Sequence, residues 1–417
     1  MTTNRMFLLL VLLTAAAGIS AQTEEPAVEG AVGGLPFTGE VDVTVVSVNA
    51  YVTDKKGIVV TDLTADDFVL TQDGVTKPIT NFGLFTEEIY RSEYRPEGPP
   101  STAPTPVTGS ESLSKDSFRP VYVVLYYDNE NSRALDRNRL ISQMRTFIRE
   151  NLHPPVQMMV ISYNKSYDVL QSFTSDPRDI YDALREVKIT TGGRTELDNN
   201  RKDILRDFSE SQRSSQRDYQ QMQRGHGMLI GFAEEEANAL QFTLGSLRDT
   251  VTMLSGLPGK KIIVYVSNGL PMVAGLDLFY AYANAYQESS AITESARYNM
   301  NRHYNSLVSN ANAQDISFYT FGVGGLENPG LAGSELGMQQ DHMSASIGIQ
   351  NYLDPLRFMA DNTGGAAIVN TNDFSAGLAR VAQDFFTYYS LGYTLHQSGL
   401  DKVHRIKVEL PNHPDYR

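Results

Sequence analysis

The sequence predicts an α/β fold in which a doubly wound, mostly parallel sheet follows a small all-β module. Apolar runs such as Val121–Tyr127 and Lys261–Ser267 are typical of central parallel strands that are covered on both faces. Helical patterns lie between such runs, and a stretch with strand-type alternation precedes them. Strands that alternate with helices favour a parallel sheet with right-handed crossovers.

The α/β unit is predicted to span residues 119–387. After its first strand, Leu140, Met144, Phe147 and Ile148 mark one face of a helix that runs to about Glu150. Further strands are predicted at Val156–Tyr163, Tyr167–Phe173, Lys261–Ser267, Ile316–Val323 and Ala366–Asn370, and further helices at Pro177–Val187, Ala233–Leu254, Asn351–Asn362 and Phe374–Phe386.

Two insertions interrupt this unit, at about residues 196–231 and 271–312. The first is rich in Arg, Gln, Ser and Asp with few apolar positions, so it is predicted to be a solvated helix or a mobile lid rather than core. The second follows the carboxyl end of a strand, and that is the edge at which open α/β sheets bind ligands.

A β-sandwich-like module is predicted for residues 41–86, where Val41, Val43 and Val45 alternate with polar residues. Residues 87–118 are rich in Pro, Ser and Thr, as expected of an extended linker. At the other end, residues 388–417 are predicted to add a C-terminal β-hairpin, in which Tyr388–Leu395 pairs with Val403–Leu410.

The first 21 residues have the pattern of a signal peptide, with Arg5, an apolar run at Met6–Leu13 and small residues up to Ala21. The alternative is a buried N-terminal helix. Residues 22–40 are interpreted as a tether. The apolar run is too short to cross a bilayer, so the mature chain is expected to have no membrane span and to be secreted or periplasmic.

Composition excludes two classes of site. The formal net charge of -14 disfavours a nucleic-acid partner, because binding phosphate backbones needs clustered Lys and Arg. The chain has no cysteine, which excludes disulfides and thiolate metal sites.

Several segments, in this order, resemble the von Willebrand factor type A (VWA) fold, a Rossmann-like fold, and in particular the bacterial VWFA-related domain proteins. The segments are Leu63-Thr64-Ala65-Asp66-Asp67-Phe68, Pro258-Gly259-Lys260-Lys261, Tyr319-Thr320-Phe321-Gly322-Val323-Gly324, Thr363-Gly364-Gly365 and Tyr389-Ser390-Leu391-Gly392-Tyr393. The resemblance covers nearly the whole mature chain and assigns residues 119–387 to the VWA domain.

The resemblance implies a metal-ion-dependent adhesion site at the carboxyl edge of the sheet. Its pattern is D-x-S-x-S after the first strand, a Thr in a later loop and an Asp after a later strand. Oxygens from these loops hold a hard cation such as Mg²⁺, and a carboxylate of the partner completes the coordination. The matching positions here are Asp128, Glu130, Ser132, Thr195 and Asn268.

Two of these positions depart from the pattern. Glu130 stands where a Ser is expected, and Asn268 stands where an Asp is expected. The site therefore keeps two carboxylates, Asp128 and Glu130, but one of them stands at a different position from that in the pattern. Two interpretations stay open: a bound Mg²⁺, Ca²⁺ or Mn²⁺, or a metal-free site whose polar groups cap helices and turns.

Partner contacts are expected from residues beside this site, namely Asn129, Asn131 and Arg194, and from the Tyr-rich insertion, namely Tyr280, Tyr282 and Tyr286. Tyrosine is common at interfaces because its ring is large and its hydroxyl is polar. The alternative is that Tyr282 and Tyr286 form a packing pair on one helix.

The signal-peptide pattern predicts an exported protein, and the resemblance implies adhesion-type recognition of a protein partner. The sequence offers no set of nucleophile and base, so a non-enzymatic protein is expected. Two alternatives remain at this point: a metal-dependent hydrolase that uses Asp128 and Glu130, and a structural component of envelope assembly.

Overall fold

The computed structural model describes residues 44–54, 59–86, 120–213, 219–326, 342–395 and 404–416. The predicted signal peptide, tether and linker lie outside these ranges. Within them, none of the helices combines the length and the apolar character that a membrane crossing requires.

The strands of the described residues are β1 Thr44–Ala50, β2 Val69–Gln72, β3 Val75–Lys77, β4 Asn81–Phe85, β5 Val121–Asp128, β6 Val156–Asn164, β7 Ser166–Thr174, β8 Lys260–Ser267, β9 Ile316–Gly322, β10 Ala366–Ile368, β11 Tyr388–Leu395 and β12 Ile406–Glu409. The α-helices are α1 Ala134–Asn151, α2 Pro177–Ile189, α3 Arg194–Arg213, α4 Tyr219–Leu254, α5 Leu276–Tyr286, α6 Ser290–Glu294, α7 Asn301–Ala313, α8 His342–Asp361 and α9 Ser375–Phe386.

The central sheet has six strands in the order β10-β9-β8-β5-β6-β7. All neighbours pair in parallel except β6 and β7, which are antiparallel. The predicted mostly parallel α/β fold is therefore confirmed.

Side chains of the central strands alternate between two cores, one on each face of the sheet. On β5, Val123 and Leu125 face α1, α2 and α9, whereas Val124 and Tyr126 face α4, α7 and α8. A strand that is buried on both faces needs apolar side chains on both, so the sequence of β5 is an unbroken apolar run.

A third apolar cluster corrects the prediction for residues 196–231. They were expected to be solvated, but Ile204 and Phe208 on α3 are buried against Leu229 on α4 and Phe279 on α5. Two apolar residues four positions apart lie on the same face of a helix, so a few well-spaced residues bury α3 despite its polar composition.

The predicted C-terminal hairpin is wrong. Strand β11 pairs with β1 and β4 in one antiparallel sheet, and β12 pairs with β2 in a second sheet of order β12-β2-β3. Tyr389, Leu391 and Tyr393 alternate along β11 and are buried between these sheets. An isolated hairpin is marginally stable in water, and one formed by β11 and β12 would leave those side chains uncovered.

The β module contacts the amino edge of the central sheet. Asn49 Nδ2 donates to Asp315 Oδ2 at 3.0 Å, just before β9 begins. Lys260, the first residue of β8, forms a buried ion pair with Asp384 on α9, and its ammonium lies 5.4 Å from the centre of the Tyr388 ring. Asp128, the last residue of β5, and Asn268, which follows β8, are at the opposite edge of the sheet.

We predict that Tyr389→Phe lowers the free energy of unfolding by about 1–3 kcal/mol. The Tyr389 hydroxyl donates to Val60 O at 3.1 Å and accepts from Leu63 N at 3.0 Å, so its removal leaves two backbone groups of the module unpaired. Urea denaturation measures the change. Tyr219→Phe, at an exposed hydroxyl on α4, is the control and should change stability by less than about 0.5 kcal/mol. Equal effects of the two variants would contradict the prediction.

Candidate functional site

Three loops meet at the carboxyl edge of the sheet. The first follows β5, the second joins α2 to α3, and the third follows β8. Asn268 N donates to Asn131 O at 2.9 Å, and Gly193 N donates to Asn129 O at 2.9 Å. The loops that carry the sequence-predicted site are thus joined by their backbones, and we call this junction the rim.

Gly192 and Gly193 permit the close approach of the second loop to the first. A Cβ at Gly192 would lie 2.0 Å from Ser132 O, and one at Gly193 would lie 2.7 Å from Glu130 O. Both contacts would be with backbone oxygens of the first loop, and the hydrogen bonds between the loops hold that backbone in place. Any side chain at either position would push the loops apart.

Asp128 ends β5 and is fully buried. Its Oδ1 accepts from Asn131 N at 3.0 Å, and its Oδ2 accepts from Asn131 Nδ2 at 2.9 Å and from the Tyr265 hydroxyl. Burial raises the pKa of Asp128 to about 6, against the opposing effect of these hydrogen bonds. Asp128 therefore organises the loop from inside the protein.

Asn268 connects the third loop to the start of α1. Its Oδ1 accepts from Arg133 N at 2.9 Å, and its Nδ2 donates to Asp136 Oδ2 at 2.8 Å. The first amides of a helix lack partners within the helix, so Asn268 supplies one of them. An aspartate here could accept from Arg133 N but could not donate to Asp136.

Glu130 and Ser132 keep unused hydrogen-bonding capacity. Glu130 Oε2 and the Ser132 hydroxyl are enclosed, and neither has a hydrogen-bond partner within the part of the chain that the structure describes. The other Glu130 oxygen lies 3.9 Å from the exposed Lys165 ammonium. Burial raises the pKa of Glu130, Lys165 lowers it, and Glu196 raises it further.

Thr195 and Arg194, which are neighbours at the start of α3, differ in burial. Thr195 is exposed in the first turn of α3, whereas Arg194 is buried. The Arg194 guanidinium lies 4.0 Å from the centre of the Tyr352 ring, and its Nε donates to Asp198 Oδ1 at 3.0 Å. Arg194 is therefore not a surface group for a partner in this arrangement.

Arg133 shares Asp198 with Arg194. Its Nε donates to Asp198 Oδ2 at 2.9 Å, from the opposite side of the carboxylate. Burial acts to raise the pKa of Asp198, but the guanidiniums of Arg194 and Arg133 hold it below its ordinary value. This ion-pair cluster joins the first loop to α3.

Asn129 and Asn131 also serve the interior. Asn129 is fully buried, where its Nδ2 donates to Ser162 Oγ at 2.8 Å and its Oδ1 accepts from Arg137. The side chain of Asn131 donates to Asp128, as described above, and to Thr243 Oγ1 at 3.3 Å. Neither side chain offers an unused N–H group to solvent.

The three tyrosines of the second insertion lie on α5, away from the junction. Tyr282 is buried, and its ring lies 4.7 Å from that of Tyr286 and 5.6 Å from that of Phe208. Tyr280 is half-buried. The structure thus shows the packing pair, which was the alternative to a contact surface.

Sequence reasoning missed Tyr265, Asp198 and Arg133. Tyr265 could have been found from the strand register. It pairs with Tyr126 on β5, and Asp128 is two residues after Tyr126, so all three side chains lie on the same face of the sheet. Asp198 and Arg133 meet only when the second loop folds onto the first, and no local pattern indicates that.

The residues of the rim do not fit a divalent cation held as the VWA resemblance implies. Magnesium needs near-octahedral oxygen coordination. Both oxygens of Asp128 already accept hydrogen bonds, the Asn268 amide is committed to α1, and Thr195 faces solvent. Of the predicted set, Glu130 Oε2 and Ser132 Oγ are the buried side-chain oxygens without a hydrogen-bond partner among the described residues.

Comparisons with known proteins give structural matches only. No protein-family model matches the chain, and no curated protein matches it. Among solved structures, the chain is similar to the vWF domain of the type V pili tip protein Mfa5 from Porphyromonas gingivalis, at 12% identity over 64% of this chain and 95% of that chain, with a TM-score of 0.33.

Two further structures match at a similar level. BatB from Bacteroides thetaiotaomicron is 11% identical over 63% of this chain and 96% of its own, with a TM-score of 0.29. The PilB minor pilin from Streptococcus sanguinis is 10% identical over 67% of this chain and 64% of its own, with a TM-score of 0.30. The matches include a vWF domain, as the sequence resemblance implies. The fold assignment rests on the strand order described above.

We predict that Gly192→Ala destabilises the protein by about 1–3 kcal/mol, because the new methyl group would overlap the Ser132 carbonyl. The matched control is Gly231→Ala, on the exposed face of α4 with no atom within 4 Å of the added Cβ. It should stabilise by about 0.5–1 kcal/mol through helix propensity. Thermal and urea denaturation measure both changes, and a neutral Gly192→Ala would refute the close approach.

We also predict a pH-dependent effect of Asp128→Asn. The pKa of Asp128 is raised to about 6, so the folded protein holds a proton there that the unfolded chain loses near pH 4. The contribution of Asp128 to the free energy of unfolding therefore decreases as pH rises from about 4 to about 6, and it is constant above. Relative to wild type, the variant should gain about 2 kcal/mol between pH 4 and pH 7.

Urea denaturation at several pH values between 4 and 7 measures this change, and a constant difference between the proteins would show that Asp128 is not responsible. Asp176→Asn is the control of opposite sign. Hydrogen bonds from Arg178 lower the pKa of Asp176, so its contribution to stability is present at neutral pH and is lost as pH falls. This variant should lose stability relative to wild type as pH rises.

Proposed function

We propose that this is an exported, non-enzymatic binding protein of the adhesion-type VWA kind. It recognises a protein partner at the rim, through the loops that carry Asp128, Glu130, Ser132, Thr195 and Asn268. The signal peptide predicted for residues 1–21 supports export to the periplasm or the exterior.

The observation that carries this proposal is the unused hydrogen-bonding capacity at the junction. Glu130 Oε2 and Ser132 Oγ are buried without a partner among the described residues, in a fold where buried polar groups are almost always paired. Each unpaired buried group costs free energy, which a ligand that supplies a partner would recover. The Glu130 side chain is partly exposed at the rim, whereas the Ser132 hydroxyl is fully buried, so a partner would reach that hydroxyl only if the first loop opens.

The position of the β module supports recognition at the rim. Its contacts through Asn49 and Tyr388 are at the amino edge of the sheet, whereas the exposed Thr195 lies at the carboxyl edge. Partner binding at the rim would therefore not compete with the packing of the module.

Binding is favoured over hydrolysis by the placement of the two carboxylates. Asp128 is fully buried and both its oxygens are engaged, so it would not reach a substrate without opening the loop. We further propose that recognition does not need a resident divalent cation. The commitment of Asp128 and Asn268 to internal hydrogen bonds supports this.

Capture from the cell envelope of the producing organism tests the proposal. Thr195→Trp places a large ring on the exposed surface of the rim, and we expect it to lower partner recovery about tenfold or more, which corresponds to about 1.4 kcal/mol of binding energy. Chelation of divalent cations should leave recovery by the wild-type protein unchanged.

The matched control is Thr252→Trp, an equally exposed helical threonine near the amino edge, which should retain full recovery. Recovery that is the same for all three proteins would exclude the rim as the binding surface. Recovery that a chelator abolishes, and that added Mg²⁺ restores, would show instead that a cation is required.

A further inference from the structure

Three large apolar side chains are exposed near the rim. Leu135, in the first turn of α1, is 85% exposed, Ile189, at the end of α2, is 85% exposed, and Leu326, beyond the end of β9, is 71% exposed. Single exposed apolar residues are common on proteins, but adjacent ones mark interaction sites.

The start of α1, which carries Leu135, is linked by hydrogen bonds to the segments that carry the other two residues. On one side, Arg137 Nη2 donates to Thr190 O at 2.9 Å and Asn138 Nδ2 donates to Lys188 O at 3.3 Å, so both neighbours of Ile189 are bonded to α1. These bonds fix the end of α2 against the turn that carries Leu135.

On the other side, Arg139 links α1 to the segment that carries Leu326. Its Nη1 donates to Asn372 Oδ1 at 2.6 Å, and Gly325 lies against both of these groups. Because Leu135 and Arg139 are one helical turn apart, they share a face of α1. We call the row Ile189, Leu135 and Leu326 the Leu135 ridge.

The exposed charged side chains at the start of α1, beside Leu135, are basic. The side chains of Arg133 and Arg139 are 44% and 39% exposed, whereas Asp136 and Asp198, which accept their hydrogen bonds, are largely buried behind them. Exposed acidic side chains lie at the two ends of the ridge: Glu186, one turn before Ile189, and Asp373, which accepts a hydrogen bond from Ser375 N near Leu326. The ridge therefore presents guanidinium groups to solvent on a chain whose net charge is -14.

We propose that the Leu135 ridge docks a protein segment that combines a large apolar side chain with acidic residues beside it. The apolar side chain covers Leu135, and the carboxylates pair with Arg133 and Arg139. Guanidinium groups recognise carboxylates through paired hydrogen bonds, and desolvated apolar contacts at the centre of an interface contribute most of its energy. This inference rests on the proposed function, since it names the chemistry of the partner bound at that edge.

Selection of displayed random peptides on the purified protein tests the inference. Selected peptides should combine Leu or Phe with Asp or Glu, and Leu135→Asp should weaken their binding about tenfold or more. Aspartate is favourable in the first turn of a helix, so this variant is expected to fold. Phe242→Asp, an equally exposed apolar site on α4, is the matched control and should bind as wild type does.

A separate experiment tests whether the docked segment is acidic. Arg139→Glu should weaken the same peptides, and binding should weaken as salt is added. Selected peptides that are basic, or that gain affinity for Arg139→Glu, would overturn the assignment of an acidic partner.

Comparison with Thr195→Trp separates the two proposals. Peptides that lose binding to Thr195→Trp but retain it for Leu135→Asp would overturn the ridge and support the rim. Peptides that bind both variants as they bind wild type, or a selection that yields no binding peptide, would count against both.

Discussion

The site depends on the backbone hydrogen bonds that join three loops at the carboxyl edge of the sheet. The first loop is the centre of this junction, because Asn131 O accepts from the third loop and Asn129 O accepts from Gly193 in the second. Peptide groups make these bonds whatever side chains stand at positions 130 and 268, as long as Gly192 and Gly193 let the second loop approach the first. The junction is therefore compatible with the changes at Glu130 and Asn268, which alter the oxygens that the VWA resemblance assigns to a cation.

Positive charge at the junction comes from arginine. Arg133 and Arg194 donate to the two oxygens of Asp198. The Arg133 bond holds the first loop against α3, and the Arg194 bond lies within α3. Taking charges out of water is costly, and such a cluster is tolerated only when its members are closely paired. Asn268 fits this arrangement, since its neutral amide donates to Asp136, whereas an aspartate would place a second carboxylate beside it.

Local sequence predicted the features that depend on local physics and missed those that depend on distant pairing. The apolar runs of β5 and β8 could be recognised in the sequence, because a strand that is buried on both faces has few polar residues. The strands that pair with β11 could not be predicted. Strands β1 and β4 lie more than 300 residues earlier in the chain, and any strand with alternating apolar residues could pair with β11. At the rim, the spacing of Asp128 and Ser132 identified the loop. The direction of Thr195 was not readable, because it depends on where α3 begins and on the burial of its neighbour Arg194.

The two edges of the sheet are joined by a continuous set of contacts through α1 and α9. Gln143, on α1, accepts from Phe374 N at 2.8 Å just before α9 begins, and a single residue separates the end of α9 from β11 in the module. Each link is a packed helix, a hydrogen bond or a strand held on both sides, as β11 is between β1 and β4. Such elements resist small displacements, because close-packed interiors have little room to deform. The arrangement therefore favours a rigid support, in which the module anchors the amino edge and fixes the orientation of the ridge and the rim.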